Sequence, residues 1–157
     1  METARMASTS DLPRLVELCQ LARAELAAQE RGGPVYVARE ARREPVDRSL
    51  AATLADSGQA VVVGTFGGTV AGYGTGRTEL LVDGQRLGVI DDLFVEEGLR
   101  GVGVGEAVMG GLLAWFAEQG CAGVDAAALP GQRATKNFFE GSGFTARLIV
   151  MHHRLDG

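Results

Sequence analysis

The sequence predicts an α/β domain whose mixed sheet combines an antiparallel meander with a parallel strand pair, flanked by helices. Three observations carry this reading. Between residues 59 and 95, β-rich runs are separated by Gly67-Gly68 and by Asp83-Gly84, dipeptides that supply hairpin turns. From Val104 the apolar spacing becomes helical, through Val108, Leu112, Trp115 and Phe116, and Gly120 ends it. A further short apolar run, "CAGVDAAAL", follows, so strand, helix and strand make a βαβ unit expected to be right-handed and parallel.

The elements follow in order. "STSDLPRLVELCQLARAEL" opens with Ser10 or Asp11 as a cap and a proline suited to a first helical turn. Leu15, Cys19, Ala22 and Leu26 then fall on one helix face. Residues 31–48 hold Gly, Pro and clustered charges and read as a loop with room for a turn of helix. A short helix is expected over 48–57. "QAVVVGTF", "TVAGYGTGRTELL" and "RLGVIDDLFV" are the three meander strands. "CAGVDAAAL" reads as a short buried strand, "GQRATKNFFEGSG" as a second short helix, and "FTARLIVMHHRL" as a final strand. One domain over 1–157 accounts for all of it.

Composition narrows the function classes. With 157 residues, 46 % of them hydrophobic, the chain can build a real core. Its net charge of −5 argues against nucleic acid as partner, because phosphate backbones need a basic face. No apolar run reaches the roughly 20 residues that span a bilayer, which argues against a membrane partner. The N-terminus lacks the apolar core of a signal peptide. Cys19 and Cys121 are too few for a disulfide framework or a metal cluster. These features point to a cytoplasmic protein without a metal.

The most informative stretch is "DDLFVEEGLRGVGVGEAV". Glycine in a helix interior is unfavourable by about 1 kcal/mol relative to alanine. Three glycines where a strand hands over to a helix therefore need a reason. The first amides of a helix lack intrahelical partners and carry partial positive charge, and bare glycines let phosphate oxygens approach them. "RGVGVG" thus reads as a phosphate cradle, with Arg100 as an added positive charge. It is not a Walker A loop, since no G-x-x-x-x-G-K-[ST] occurs. Nor is it the dinucleotide fingerprint, because the last glycine required would fall on Glu106 or Val108.

Arg100-Gly101-Val102-Gly103-Val104-Gly105 resembles the signature of the GCN5-related N-acetyltransferase (GNAT) superfamily. "QRATKNFFEGSGF" resembles its second motif, and "RMASTSDLPRLVEL" its usual start. The resemblance covers nearly the whole chain. It implies a GNAT-like acyl-CoA N-acyltransferase fold in which the two parallel strands splay and acetyl-CoA lies between them. The pyrophosphate would rest on the amides of Arg100, Gly101, Val102, Gly103, Val104, Gly105 and Glu106. The pantetheine arm would pair with the backbone at Phe94 and Val95. Gln132 stands where the family often has an asparagine that contacts that arm.

The implied reaction is direct attack of a primary amine on the thioester. An alkylammonium must first lose a proton, and a carboxylate beside the cleft can relay it. Asp91 and Asp92 are the candidates. On a regular strand they would face opposite sides, so only one could serve; relatives often carry a glutamate at the Asp91 position. The family's tyrosine acid is replaced by Phe139, which leaves water, Tyr36, Tyr73 or unassisted departure of the thiolate. Asp91, Asp92, Glu96 and Glu97 favour a small cationic acceptor, with a protein or peptide amine as the alternative. An acyl-CoA sensor without turnover is the competing class; protection by NAD or ATP would mark a different nucleotide binder. His152 and His153 point apart on a strand and make a poor metal site. Relatives are often dimers, so a homodimer is expected.

Overall fold

The computed structural model describes residues 1–156. Its elements are β1 (Glu2–Met6), α1 (Leu12–Ala27), α2 (Gly33–Arg39), α3 (Val46–Ala55), β2 (Gln59–Phe66), β3 (Thr69–Leu80), β4 (Arg86–Val95), α4 (Val104–Glu118), β5 (Cys121–Asp125) and α5 (Arg133–Gly141). The strands form one sheet in the order β1-β2-β3-β4-β5. The first four run antiparallel, and β4 and β5 run parallel. The mixed sheet read from the hairpin signals and the βαβ unit is therefore the observed one.

Both faces of the sheet are covered, which explains the unbroken valine run of β2. Val61 and Val63 pack with Leu15, Leu18, Leu50 and Tyr73 beneath α1 and α3. Val62 points the other way, into a cluster with Val108, Leu112 and Phe116 of α4. Alternate side chains of a strand face opposite sides, so a strand buried on both faces is apolar at every position.

That alternation is broken in β4. Thr75 pairs with Asp92 and Gly76 with Ile90, so Asp91 has no partner across the ladder. One strand carries one residue too many, which is a β-bulge. The packing records the same slip. Ile90 and Phe94, four residues apart, should share a face, yet Ile90 belongs to the α4 cluster and Phe94 to the α1 cluster. Directly before the bulge β5 stops pairing: it contacts β4 only from Arg86 to Val89. From Ile90 to Val95 one edge of β4 is left open.

Three expectations are corrected, and one strand is found that the sequence did not suggest. Residues 31–48 are not a bare loop but carry α2, and the following helix begins at Val46 rather than 48. β1 has no apolar alternation, is largely exposed, and forms because its backbone pairs with β2 from Glu2–Phe66 to Met6–Val62. β5 is only partly buried, because in the described residues it is an edge strand. The segment from Phe144 to Asp156 is no strand: it makes no ladder bonds, and Leu148, Ile149, Val150 and Met151 are 70–86 % exposed. β-propensity makes a strand only where a neighbour supplies hydrogen-bond partners and a packing surface.

Candidate active site

The divergence of β4 and β5 opens a cleft of about 370 Å³, lined by both ends of the protein. One end is built from α1, α2 and β3, the other from the turn before α4, the segment after β5 and α5. The open β4 edge runs between them.

At the α4 end, Gly101 has φ +85° and Gly103, which caps the helix, φ +95°. Side chains with a Cβ rarely adopt this conformation. The turn it permits leaves the amides of residues 101–106 without a hydrogen-bond acceptor among the described residues. Free amides at the positive end of a four-turn helix suit an anion. Arg100, Gly101, Gly105 and Glu106 line the cleft; Val102 is largely exposed outside it, Gly103 shapes the turn, and Val104 is buried in the core. Arg100 does not reach over the turn. Its Nε donates to the Val95 carbonyl at 2.8 Å, its Nη2 meets Glu25 at 2.8 Å, and its guanidinium lies 5.3 Å from the Phe94 ring centre. It folds back across the β4 edge instead.

Both aspartates line the cleft. The expectation that only one can do so fails, because the bulge removes the strict alternation on which it rests. Their surroundings differ. Asp92 is held by Arg42, with Nη2–Oδ2 at 2.6 Å, and accepts from Thr75 Oγ1 at 2.5 Å and Tyr73 Oη at 3.2 Å. Asp91 meets only the half-exposed Arg77, at 2.9 Å, and keeps 35 % of its side chain accessible. Loss of water around the Asp91 carboxyl raises its pKa above the usual aspartate value, against the opposing pull of Arg77. A carboxylate that is accessible, weakly paired and shifted toward neutrality is the better proton acceptor of the two.

No hydroxyl stands at the position of the missing tyrosine. Phe139 is buried against Phe138 and Phe144. Tyr73 is fully buried; desolvation, with the charge of Asp92, drives its phenol pKa well above the ordinary value. Tyr36 lines the cleft, and burial raises its pKa as well. Both are weakened as acids, while a thiol near pKa ~8.5 leaves acceptably without help. Gln132 lines the cleft, but its Oε1 accepts from the Leu129 amide at 3.1 Å. His152 and His153 are exposed and lie away from it. Glu96 is not part of it either and pairs with Arg14 at 3.1 Å; Glu97 is exposed outside it.

The main residue missed by sequence reasoning is Arg42. It sits among arginines and glutamates in an aperiodic stretch, and only Asp92, fifty residues away, distinguishes it from its neighbours. Cys19, buried in the α1 cluster, also touches the cleft, and burial raises its thiol pKa. Among the described residues no cluster of His, Cys, Asp or Glu is placed to hold a metal, and no helix is long and apolar enough to cross a membrane.

Comparison with known proteins bears on the family and the fold. The family model for the acetyltransferase (GNAT) family matches residues 18–144. No curated protein matches the chain. Among solved structures, a tetramutant protein from Bacillus halodurans superposes with a TM-score of 0.82 at 17 % identity, covering 97 % of this chain and 99 % of that one. An aminoglycoside acetyltransferase from an uncultured soil metagenomic sample, in complex with sisomicin, gives 0.72 at 19 % identity, covering 98 % and 94 %. AAC(6')-Iy, in complex with the bisubstrate analog CoA-S-monomethyl-acetylneamine, gives 0.73 at 17 % identity, covering 98 % and 97 %. At such identities these likenesses concern the fold.

Proposed function

Because the chain belongs to the acetyltransferase (GNAT) family, we propose that it is a single-domain, acetyl-CoA-dependent N-acetyltransferase acting on the primary amine of a small molecule that arrives as its ammonium ion. One observation carries the reading: the open edge of β4 leads to free amides at one end and to an accessible, bulged Asp91 along the same cleft.

The residues fit the cosubstrate. The amides of 101–106 would hold its diphosphate, and the edge of β4 at Phe94 and Val95, which β5 leaves open, would receive the pantetheine arm as an added strand once Arg100 releases the Val95 carbonyl. Gln132 and Phe139 would flank that arm. Acetyl-CoA supplies an activated acyl group as a thioester. Asp91 attracts the ammonium and takes its proton, through one water given the short side chain. The amine then forms the C–N bond as the C–S bond breaks, and the proton balance closes on the departing thiol. Asp92, locked to Arg42, acts as a positioning residue that keeps the bulge in place.

The proposal also includes a homodimer. Four consecutive exposed apolar residues, Leu148 to Met151, need cover on both faces. A second copy offers the open edge of β5.

The test is release of free thiol from acetyl-CoA across a panel of amines, with calorimetry of CoA binding alongside. Amine-dependent release supports the enzyme. Binding without release from any amine points to the acyl-CoA sensor, the reading that the lost tyrosine favours.

A further inference from the structure

The charges lining the cleft are matched almost one for one. Asp92 is held by Arg42 at 2.6 Å, Glu25 by Arg100 at 2.8 Å, and Arg23 by Glu44 at 2.9 Å. Every N–H of Arg42 is taken: Nε and Nη2 by Asp92, Nη2 also by Thr75, and Nη1 by Ser49 and Thr53. Glu106 lies in the first turn of α4, at the anion-binding end. Two lining carboxylates are not firmly neutralised: Glu106 makes no ion pair but sits at that anion-binding end, and Asp91, at the acceptor end, has a partner, Arg77, that is shared with Glu79 at 2.6 Å and is accessible to water.

The cleft lining also supplies apolar and aromatic side chains, among them Ala22, Leu26, Tyr36, Ala41 and Ile90. The turn before α2 approaches the segment after β5 so closely that a Cβ on Gly32 would touch Leu129 Cδ2 at 3.4 Å.

From this pattern we infer that the acceptor carries one positive charge on an apolar or aromatic body, an arylalkylamine in chemical class, and that polyamines and aminoglycosides are poor acceptors. The inference rests on the acetyltransferase reading above. A single ammonium finds Asp91. A second would be stripped of water beside arginines whose own counter-charges are already engaged, and an unpaired buried charge is strongly unfavourable. The apolar body instead covers the walls that a hydrated polycation would leave unfilled. The chain would therefore differ in specificity from the sisomicin-bound enzyme whose fold it shares.

The experiment compares phenethylamine and tryptamine with spermidine and neamine, using the intact protein. Initial rates of thiol release give kcat/KM, and calorimetry on the CoA-saturated protein gives amine affinity independently of turnover. The expected kcat/KM favours the aromatic monoamines by roughly 100-fold, with the same order in affinity. Equal or better use of the polycations overturns the inference and leaves acetyl transfer standing. Binding of the monoamines without thiol release sinks the enzyme reading but keeps the pocket assignment. If neither class binds, the inference fails. Leu26→Glu adds one carboxylate to the wall and should narrow the ratio about tenfold, the size of effect that one changed contact has in a binding pocket; an unchanged ratio rejects Leu26 as a specificity residue.

Discussion

Arg42 and Asp92 form a buried ion pair, Nη2 to Oδ2 at 2.6 Å, with 8 % and 10 % of their side chains exposed. The pair joins the segment after α2 to the centre of β4. It also lies next to the bulge that turns Asp91 out of the ladder. Removing one member leaves a buried charge without its counter-ion, at a cost of about 3–5 kcal/mol. We therefore expect Arg42→Met to lower unfolding free energy by that order in denaturant titration. Arg42→Met combined with Asp92→Leu should recover much of it. A loss under about 1 kcal/mol for the single variant, as exposed pairs give, would mean that the pair does not tie the acceptor end to the sheet.

Asp91→Asn should reduce kcat/KM by about 10²- to 10⁴-fold, the usual size of a general-base contribution. CoA affinity should stay within about twofold, a change worth well under one pKa unit of free energy. The acid limb of the pH–rate profile, lying above the ordinary aspartate range because Asp91 is desolvated, should vanish in the variant. Retention of that limb would move the base to another group.

The same desolvation makes a stability prediction of opposite sign. Since the folded-state pKa of Asp91 is raised, its contribution is full below the unfolded-state value and is lost as pH rises through the folded one. At neutral pH the ionised group is a net burden. Asp91→Asn should thus melt no lower than the parent at pH 7, despite losing the Arg77 contact, and the difference should shrink below pH 4. Lower melting at neutral pH would show that Arg77 outweighs desolvation.

At Gly103 an alanine would have to adopt φ +95°. The strain is roughly 1–2 kcal/mol, and the turn that presents the amides should shift. Gly103→Ala is expected to weaken CoA binding measurably by calorimetry. Gly110→Ala is the control: that helical glycine has open space around it, and the change should add about 0.4–1 kcal/mol of stability. Equal CoA affinity in both variants would remove the turn from the binding site.

Deleting the chain from Leu148 onward removes the exposed apolar run but keeps Arg147 and its contact with Asp125. Sedimentation should find the full chain as a dimer and the shortened one as a folded monomer. A monomeric full-length protein at tens of micromolar would refute the two-copy assembly.

Much of this fold was legible in local chemistry. Gly67-Gly68 and Asp83-Gly84 place the hairpins, the spacing from Val104 to Phe116 places α4, and "RGVGVG" marks a turn that only glycines can make. Turn type and periodicity are properties of neighbouring residues, so a sequence states them directly. The position of two aspartates in an apolar strand was equally plain, and it pointed to the cleft.

What tertiary structure decided was which way those aspartates face and what neutralises them. The bulge at Asp91 arises from the pairing of β4 with β3, and it overrides the alternation that the sequence alone implies. Arg42 becomes distinct from the arginines around it only when folding brings Asp92, Thr75, Ser49 and Thr53 to it. Arg100 turns from the glycine turn to Val95 and Glu25 for the same reason. The run "LIVM" looked like a strand by composition yet has no ladder in one chain, because a strand exists only where another backbone completes its hydrogen bonds.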